Sequence, residues 1–293
     1  MNKSIFVFGR GFLGNYIVQE FRKNGYIVNS SRLKNCSNED FKIDIRNQNS
    51  IFDAIEKTNP SLLINCAAIT NLDFLEEHPD IGFEINSEGA KNIAIASKKY
   101  DTKLIQISTD GIFDGKKGMY VEEDFTNPIN IYGKTKLLAE KYVMQEAKNY
   151  LILRTNFIGY DSEGGNLLNW MIKKLSNGEE IIGFSDVFFT PLEISYLSYL
   201  IYKLSSINED LILHLSSDQK ISKYDLAILV AKIFNFDKKL IKKGTSTELT
   251  LKAPRPKDIS LSNIKTQNLL NEKFFSLSDS LQKIKSKFQI NNI

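Results

Sequence analysis

Apolar runs and helical spacings take turns through the first half of the chain. Ile5 to Phe8 form a short run with no polar position, followed by a helix pattern from about Phe12 to Lys23 and a strand at Tyr26 to Asn29. The alternation goes on to predict a strand at Phe41 to Ile45, a helix at Ser50 to Lys57 and a buried strand at Leu62 to Cys66. A helix over roughly Ile81 to Lys99 leads to a strand at Leu104 to Ser108, and one over Tyr132 to Ala147 leads to a strand at Leu151 to Arg154. Apolar strands joined by crossover helices predict a parallel, doubly wound α/β sheet with its ligand crevice at the carboxyl ends of the strands.

After about residue 160 the rhythm loosens. Gly164-Gly165 open a loop, and helices at 167–176, 193–205 and 223–234 flank a strand at Leu211 to Leu215. This predicts a first domain over 1–160, with elements returning to it from 180–210, and a smaller C-terminal α/β domain over 161–293. Trp170, spaced with Leu167, Met171 and Leu175, is expected in the core of its helix.

Composition removes several classes of function. The apolar run after Met1 stops at Gly9, and no apolar stretch approaches the ~18 residues of a membrane-spanning helix, so a cytoplasmic protein with no membrane partner is expected. The 2 cysteines, Cys36 and Cys66, and the 2 histidines, His78 and His214, are too few for a disulfide framework, a zinc cluster or a Ser/His/Asp triad. No metal site is expected. The net charge of +3 comes from scattered lysines, which argues against a nucleic-acid partner.

Gly9-Arg10-Gly11-Phe12-Leu13-Gly14 fits G-x-G-x-x-G directly after a strand and at the opening of a helix. Glycines there allow a tight turn and a close backbone approach to a pyrophosphate, which the helix N-terminus attracts, so the first domain reads as a Rossmann-type dinucleotide site. The acid expected about 20 residues on, for a ribose 2′-hydroxyl, is missing: the segment reads Asn29-Ser30-Ser31-Arg32, and the first acid is Glu39. Arg32, with Arg10, suits a 2′-phosphate, which favours NADP over NAD; the alternative is an exposed loop arginine. Asp44-Ile45 offers an acid for the adenine amino group and an apolar neighbour for its ring, or else a helix N-terminal acid. Asn65-Cys66-Ala67-Ala68 supplies small residues that let a cofactor lie close, with Cys66 read as a small apolar residue and not a nucleophile.

Tyr132 and Lys136, four residues apart, share one helix face. An adjacent ammonium favours the tyrosinate, which would bring Tyr132 towards the range of a general acid. Ser108-Thr109-Asp110 ends the fifth strand facing the same crevice, and Thr109, ahead of Ser108, is taken as the hydroxyl that bonds a reacting carbonyl.

Taken together, these segments resemble the extended short-chain dehydrogenase/reductases, and among them the dTDP-4-dehydrorhamnose reductase family of nucleotide-sugar 4-ketoreductases. Its carriers are Gly9 to Gly14, Asn65 to Ala68, Ile107 to Gly115, Asn127 to Lys136, Leu153-Arg154-Thr155 and Arg255-Pro256. The resemblance implies a catalytic set of Thr109, Tyr132 and Lys136, with Tyr132 the acid, Thr109 polarising the carbonyl and Lys136 also holding the nicotinamide ribose. It implies NAD(P)H-dependent reduction of a nucleotide-linked 4-keto-6-deoxyhexose, and a homodimer through the long helices. Asp110, Asn156 and Arg255 join Thr109 and Tyr132 as expected substrate contacts, Arg255 by pairing with a diphosphate or else forming part of a rigid turn. Phe188-Phe189-Thr190-Pro191 is a further candidate contact.

Two departures stand out. The glycine turn is one residue shorter than the superfamily's Gly-x-x-Gly-x-x-Gly, and Gly111 stands where the family commonly has a tyrosine. Epimerising relatives carry a cysteine near the Ser/Thr, where this chain has Asp110 and Gly111, so reduction without epimerisation is favoured. The alternatives are a nucleotide-sugar epimerase and a non-catalytic regulatory subunit that binds a dinucleotide.

Overall fold

A strand that carries apolar side chains on both faces must be covered on both, and strand β1 (Ser4–Phe8) is buried at each of its residues. The computed structural model describes residues 3–33, 40–160, 166–248 and 251–291. Alternate side chains of β1 enter different cores. Ile5 and Val7 pack with Leu13, Ile17 and Phe21 of helix α1 (Phe12–Lys23), while Phe6 and Phe8 pack with Ile51 and Ile55 of helix α2 (Gln48–Thr58).

Strands β2 (Ile27–Arg32), β3 (Asp40–Lys42), β4 (Leu62–Asn65), β5 (Lys103–Thr109) and β6 (Tyr150–Thr155) join β1 in one sheet, and each neighbouring pair is parallel. Between β4 and β5 lie helices α3 (Leu72–Glu77), α4 (Pro79–Gly82) and α5 (Gly89–Lys99), and helix α6 (Ile131–Glu146) precedes β6. Strand β7 (Phe157–Ile158), helix α7 (Leu167–Ser176), strands β8 (Ile181–Phe184), β9 (Phe188–Phe189) and β10 (Leu192–Glu193), and helix α8 (Ile194–Leu204) follow. Strand β11 (Leu211–Leu215) then pairs with β6 and completes the order β11-β6-β5-β4-β1-β2-β3. The chain winds outward from β1 to β3 and resumes on the other side at β4, so the crevice opens at the carboxyl ends of β1 and β4. This is the expected Rossmann-type sheet.

Several boundaries differ from the sequence reading. The second strand runs on to Arg32, so Ser31 and Arg32 sit on a strand end and not in a loop. The third ladder covers Asp40–Lys42, leaving Asp44 and Ile45 beyond it. The helix expected over 81–99 contains a π-helical turn at Phe83–Glu88. Helix α8, inside the 180–210 stretch, packs on α1, and β11, expected in the C-terminal unit, lies on the sheet. An apolar strand does not announce which neighbour it will pair with.

The C-terminal unit has its own core, in which Leu168, Met171, Ile172 and Leu175 of α7 meet Leu226 and Val230 of helix α9 (Lys223–Phe234). Leu281 and Ile284 of a last helix, Leu277–Asn291, close it. Trp170 does not join this core. Positions 168, 171, 172 and 175 make one face, and Trp170 lies off it with 40% of its surface exposed. Gly164-Gly165, Cys36 and Glu39 lie outside the described residues.

Candidate active site

The turn after β1 is built by close approaches. Gly9 has a left-handed backbone (φ 81°), and a Cβ there would lie 2.5 Å from the Ala67 backbone; one on Gly14 would lie 2.4 Å from the Gly9 carbonyl oxygen. Gly11 is the opposite case, since a Cβ on it would meet no atom within 4 Å. Gly11 is also the N-cap of α1 and places no side chain over the first-turn amides. Gly9, Gly11, Phe12, Leu13 and Gly14 form one wall of a cavity of about 550 Å³. Cys66, Ala68, Ser108, Tyr132 and Lys136 face them.

A second recess, of about 230 Å³, shares Gly9 and Ala68 with the first and is lined by Ser31, Arg32, Asp44, Ile45 and Ala67. The Asp44 carboxylate is held by the Arg46 guanidinium at 2.6 Å, which lowers its pKa and keeps it ionised at the recess. Arg10 and Arg32 are likewise engaged: Arg10 Nη1 donates to Asp40 Oδ1 at 3.1 Å, and Arg32 Nε lies 3.6 Å from Asp40 Oδ2. Asp40, one residue past the acid singled out in the sequence, was missed because only the β2–β3 pairing sets it beside Ser30.

Helix α6 delivers the chemical pair. Asn130 caps it by accepting from Gly133 N at 2.8 Å, and a Cβ on Gly133 would lie 2.2 Å from the Gly111 carbonyl oxygen, so the helix start is pressed onto the turn that follows β5. That contact sets Tyr132 beside Thr109. Burial pushes the Tyr132 phenol up to about 12; a hydrogen bond with Thr109 opposes the shift and the charge of Asp110 adds to it. Lys136, expected to lower it, is not among the groups that shift it, and burial holds Tyr132 protonated.

Burial pushes Lys136 down to about 8, against the charge of Glu140, and its ammonium donates to the Ile107 carbonyl at 2.7 Å. The Cys66 thiol is itself pushed up to about 12 by burial, which suits the apolar role expected of it. The Thr109 hydroxyl donates to Asp110 Oδ1 and accepts from Gly111 N, both at 3.1 Å. Ser108, on the cavity wall, donates to Glu140 at 2.5 Å.

Asp110 is buried, and burial raises its pKa against the Asn156 amide, which donates to it at 2.7 Å, and the charge of Lys223. The Asn156 side-chain amide is thus turned to Asp110. Lys223, from the first turn of α9, stands 3.2 Å from the centre of the Phe189 ring and was missed by sequence reasoning. Phe188 and Phe189 form β9, and Thr190 hydrogen-bonds Leu261 N at 2.9 Å inside the protein, so it is not turned outward as a contact residue. Gly111 is free of steric demand, because a Cβ there would sit 3.4 Å from Thr109 Oγ1 and 3.8 Å from Tyr132 Cδ1.

Arg255 Nη2 donates to Asp73 at 3.1 Å, while its Nη1 is buried with no hydrogen-bond partner among the described residues. The same segment is tied to the helix start, since Asn130 Nδ2 donates to the Pro254 carbonyl at 3.1 Å. Two supporting elements were not foreseen. Asn86, in the π-helical turn, bonds both Ile69 N and Ile69 O and donates to Thr135 Oγ1 at 3.0 Å, joining the cofactor wall to α6. Glu140, one turn beyond Lys136, takes a buried, two-pronged ion pair from Arg154.

Residues 3–290 match the family described as RmlD substrate binding domain. The probable low-salt glycan biosynthesis reductase Agl14 of Haloferax volcanii is 26% identical over 286 residues, covering 95% of each chain. Methionine adenosyltransferase 2 subunit beta of Bos taurus is 25% identical, over 89% of this chain and 80% of that one. Among solved structures, dTDP-4-dehydrorhamnose reductase from Bacillus anthracis in complex with NADP aligns with a TM-score of 0.90 at 27% identity, covering 98% of this chain and 100% of that one. With this match running nearly end to end, the chain belongs to the RmlD substrate-binding domain family.

Proposed function

We propose that this protein reduces the 4-keto group of a nucleotide-linked 4-keto-6-deoxyhexose, using NADPH in preference to NADH, in the synthesis of a deoxysugar for surface polysaccharide. The observation that carries the reading is the protonated Tyr132 phenol beside Thr109, with Lys136 in the same cavity and the glycine turn as the opposite wall. The residues fit a dinucleotide. Gly11 leaves room at an uncapped helix start for a pyrophosphate, and the smaller recess joins it around Gly9 with Ser31, Arg32 and Ile45 placed for the adenosine end. The relative from Bacillus anthracis supports the NADP form of the cofactor.

Bound there, a nicotinamide dinucleotide supplies a hydride to the carbonyl carbon. Tyr132 gives its proton to the carbonyl oxygen, and Thr109, within hydrogen-bond reach of the phenol, orients that oxygen and stabilises the charge that gathers on it. Lys136, charged below about pH 8, lowers the cost of the tyrosinate left behind. Arg255, with one buried nitrogen unpartnered, is assigned to the diphosphate of the substrate, and Asp110 with Asn156 to a sugar hydroxyl. In this reading two copies pair through their long helices and work in the cytoplasm, the pairing being checked by sedimentation equilibrium.

A second reading, a dinucleotide-binding regulatory subunit without turnover, is favoured by the likeness to methionine adenosyltransferase 2 subunit beta. The two separate in one assay. NADPH consumption is followed against dTDP-, GDP-, CDP- and UDP-linked 4-keto-6-deoxysugars; turnover of one supports the reductase, and dinucleotide binding with no turnover of any supports the regulatory subunit.

A further inference from the structure

Lys223 is carried towards the end of β5 by the C-terminal unit. Ile221-Ser222 pairs antiparallel with β9, and Ser222 caps α9 by accepting from Asp225 N at 2.9 Å. Lys223 follows directly, its backbone N–H donating to the Val187 carbonyl at 3.1 Å. Register and cap fix where the side chain starts, and its ammonium ends over the Phe189 ring, 3.2 Å from the centre. Among the described residues that ammonium makes no hydrogen bond and closes no ion pair.

The charge it feels is that of Asp110. Burial pushes the Lys223 pKa down and the Asp110 carboxylate opposes the shift. Asp110 is 3% exposed, with Oδ1 accepting from Thr109 Oγ1 at 3.1 Å and Oδ2 from Asn156 Nδ2 at 2.7 Å. A carboxylate can accept about four hydrogen bonds and an ammonium has only donors to offer, so both ends keep unspent capacity. Opposite charges that do not close on each other leave a place for a group that serves both. A hydroxyl does so through one oxygen, accepting from the ammonium and donating to the carboxylate. A C–H does neither, and an amine, protonated at neutral pH, would meet the like charge of Lys223. Thr109, which ties this carboxylate to Tyr132, fixes the place on the sugar. Of the two carbons beside the keto group of a 4-keto-6-deoxyhexose, C5 bears the methyl and C3 bears the hydroxyl.

We infer that Lys223 and Asp110 hold the 3-hydroxyl of the sugar between them, which makes Lys223 a substrate-binding residue that selects a hydroxyl at the carbon beside the reacting ketone. The inference rests on the reductase reading of this site.

The test compares two substrates across variants. Values of kcat and KM are measured for the wild type, Lys223→Met and Lys223→Gln, with a nucleotide-linked 4-keto-6-deoxyhexose that the wild type reduces and with its 3-deoxy counterpart. In the wild type, loss of the 3-hydroxyl is expected to lower kcat/KM about 100-fold, because two buried charged groups lose their shared partner. Lys223→Met, similar in length but uncharged, should lower kcat/KM for the hydroxylated sugar about 30-fold, chiefly through KM, and narrow the ratio between the two sugars to about threefold. Lys223→Gln, which keeps a neutral donor, should fall between them, and dinucleotide affinity should stay within about twofold throughout. A wild type that treats both sugars alike, or a ratio as wide in folded Lys223→Met as in the wild type, overturns the proposal; where Lys223→Met does not fold, an unmoved ratio in Lys223→Gln does so. A wild type that reduces none of the dTDP-, GDP-, CDP- and UDP-linked sugars overturns the reductase reading as well, whereas turnover with an unmoved ratio removes only the role of Lys223.

Discussion

A phenol that must give up a proton is better kept protonated until the carbonyl arrives, and burial does this for Tyr132, pushing it up to about 12. Tyr132→Phe removes the proton and keeps the ring. Stopped-flow single turnovers are expected to slow by about 10²–10⁴-fold with dinucleotide affinity unchanged; a variant that keeps wild-type rates would remove Tyr132 from the chemistry. Lys136 titrates the site from the other side. Burial has brought its pKa down to about 8, so its ammonium is intact below that value and lost as pH rises through it. The kcat/KM profile should be level up to about pH 7.5 and then fall towards tenfold per pH unit, while activity holding level to pH 10 would contradict this. Tyr132 and Lys136 were legible in the chain because a four-residue helical spacing needs no knowledge of the rest of the fold. Asp40 and Lys223 were not, since their partners Arg10, Arg32 and Asp110 come from other elements.

Helix α6 connects the chemistry to the sheet beneath it. Its Tyr132 end is pressed onto the Gly111 carbonyl, and one turn past Lys136 its Glu140 is pinned by Arg154 of β6, with side chains 1% and 5% exposed. Glu140→Ala would leave a buried guanidinium without its counter-charge, at a cost of about 3–5 kcal/mol. Urea titration should show that loss, and the kcat/KM profile of the variant should fall at lower pH than wild type, because Glu140 supports the charged form of Lys136. A variant as stable as wild type would show that the pair does not anchor the helix. The positions of α1, α6, α7 and α9 could be read from apolar spacing alone. The π-helical turn at Phe83–Glu88 could not, as Asn86 is held there by Ile69 and Thr135, 17 and 49 residues away.

Across the whole molecule, His214 links the edge of the sheet to the loop beyond β5. Its ring lies buried between the Tyr120 carbonyl, 3.1 Å from Nδ1, and Arg154, 3.4 Å from Nε2, with Glu122 bonding its backbone N–H. Burial, aided by the Arg154 charge, pushes its pKa down to about 3. The unfolded chain takes up this proton below about pH 6.5 while the folded chain does not, so the stability is whole above that value and is lost as pH falls towards 3. Between pH 6.5 and 5 the loss amounts to about 2 kcal/mol. Urea midpoints for His214→Asn should be lower than wild type at pH 7 yet drop less between pH 7 and 5; an equal drop would exclude His214 as the source. The parallel sheet as a class was visible in the sequence, but the place of β11 was not, because Leu211–Leu215 reads the same whether it joins β6 or a separate sheet.

The central claim is a hydride delivered to C4 of a nucleotide-linked sugar while Tyr132 supplies the proton. It is tested most directly by running the reaction with NADPH deuterated at the transferring position and examining the product by mass spectrometry and NMR. One deuterium at the sugar C4, absent when Tyr132→Phe replaces the wild type in an equal single-turnover period, is the predicted result. No deuterium at C4 with any of the four nucleotide sugars, despite dinucleotide binding by the wild type, would contradict it.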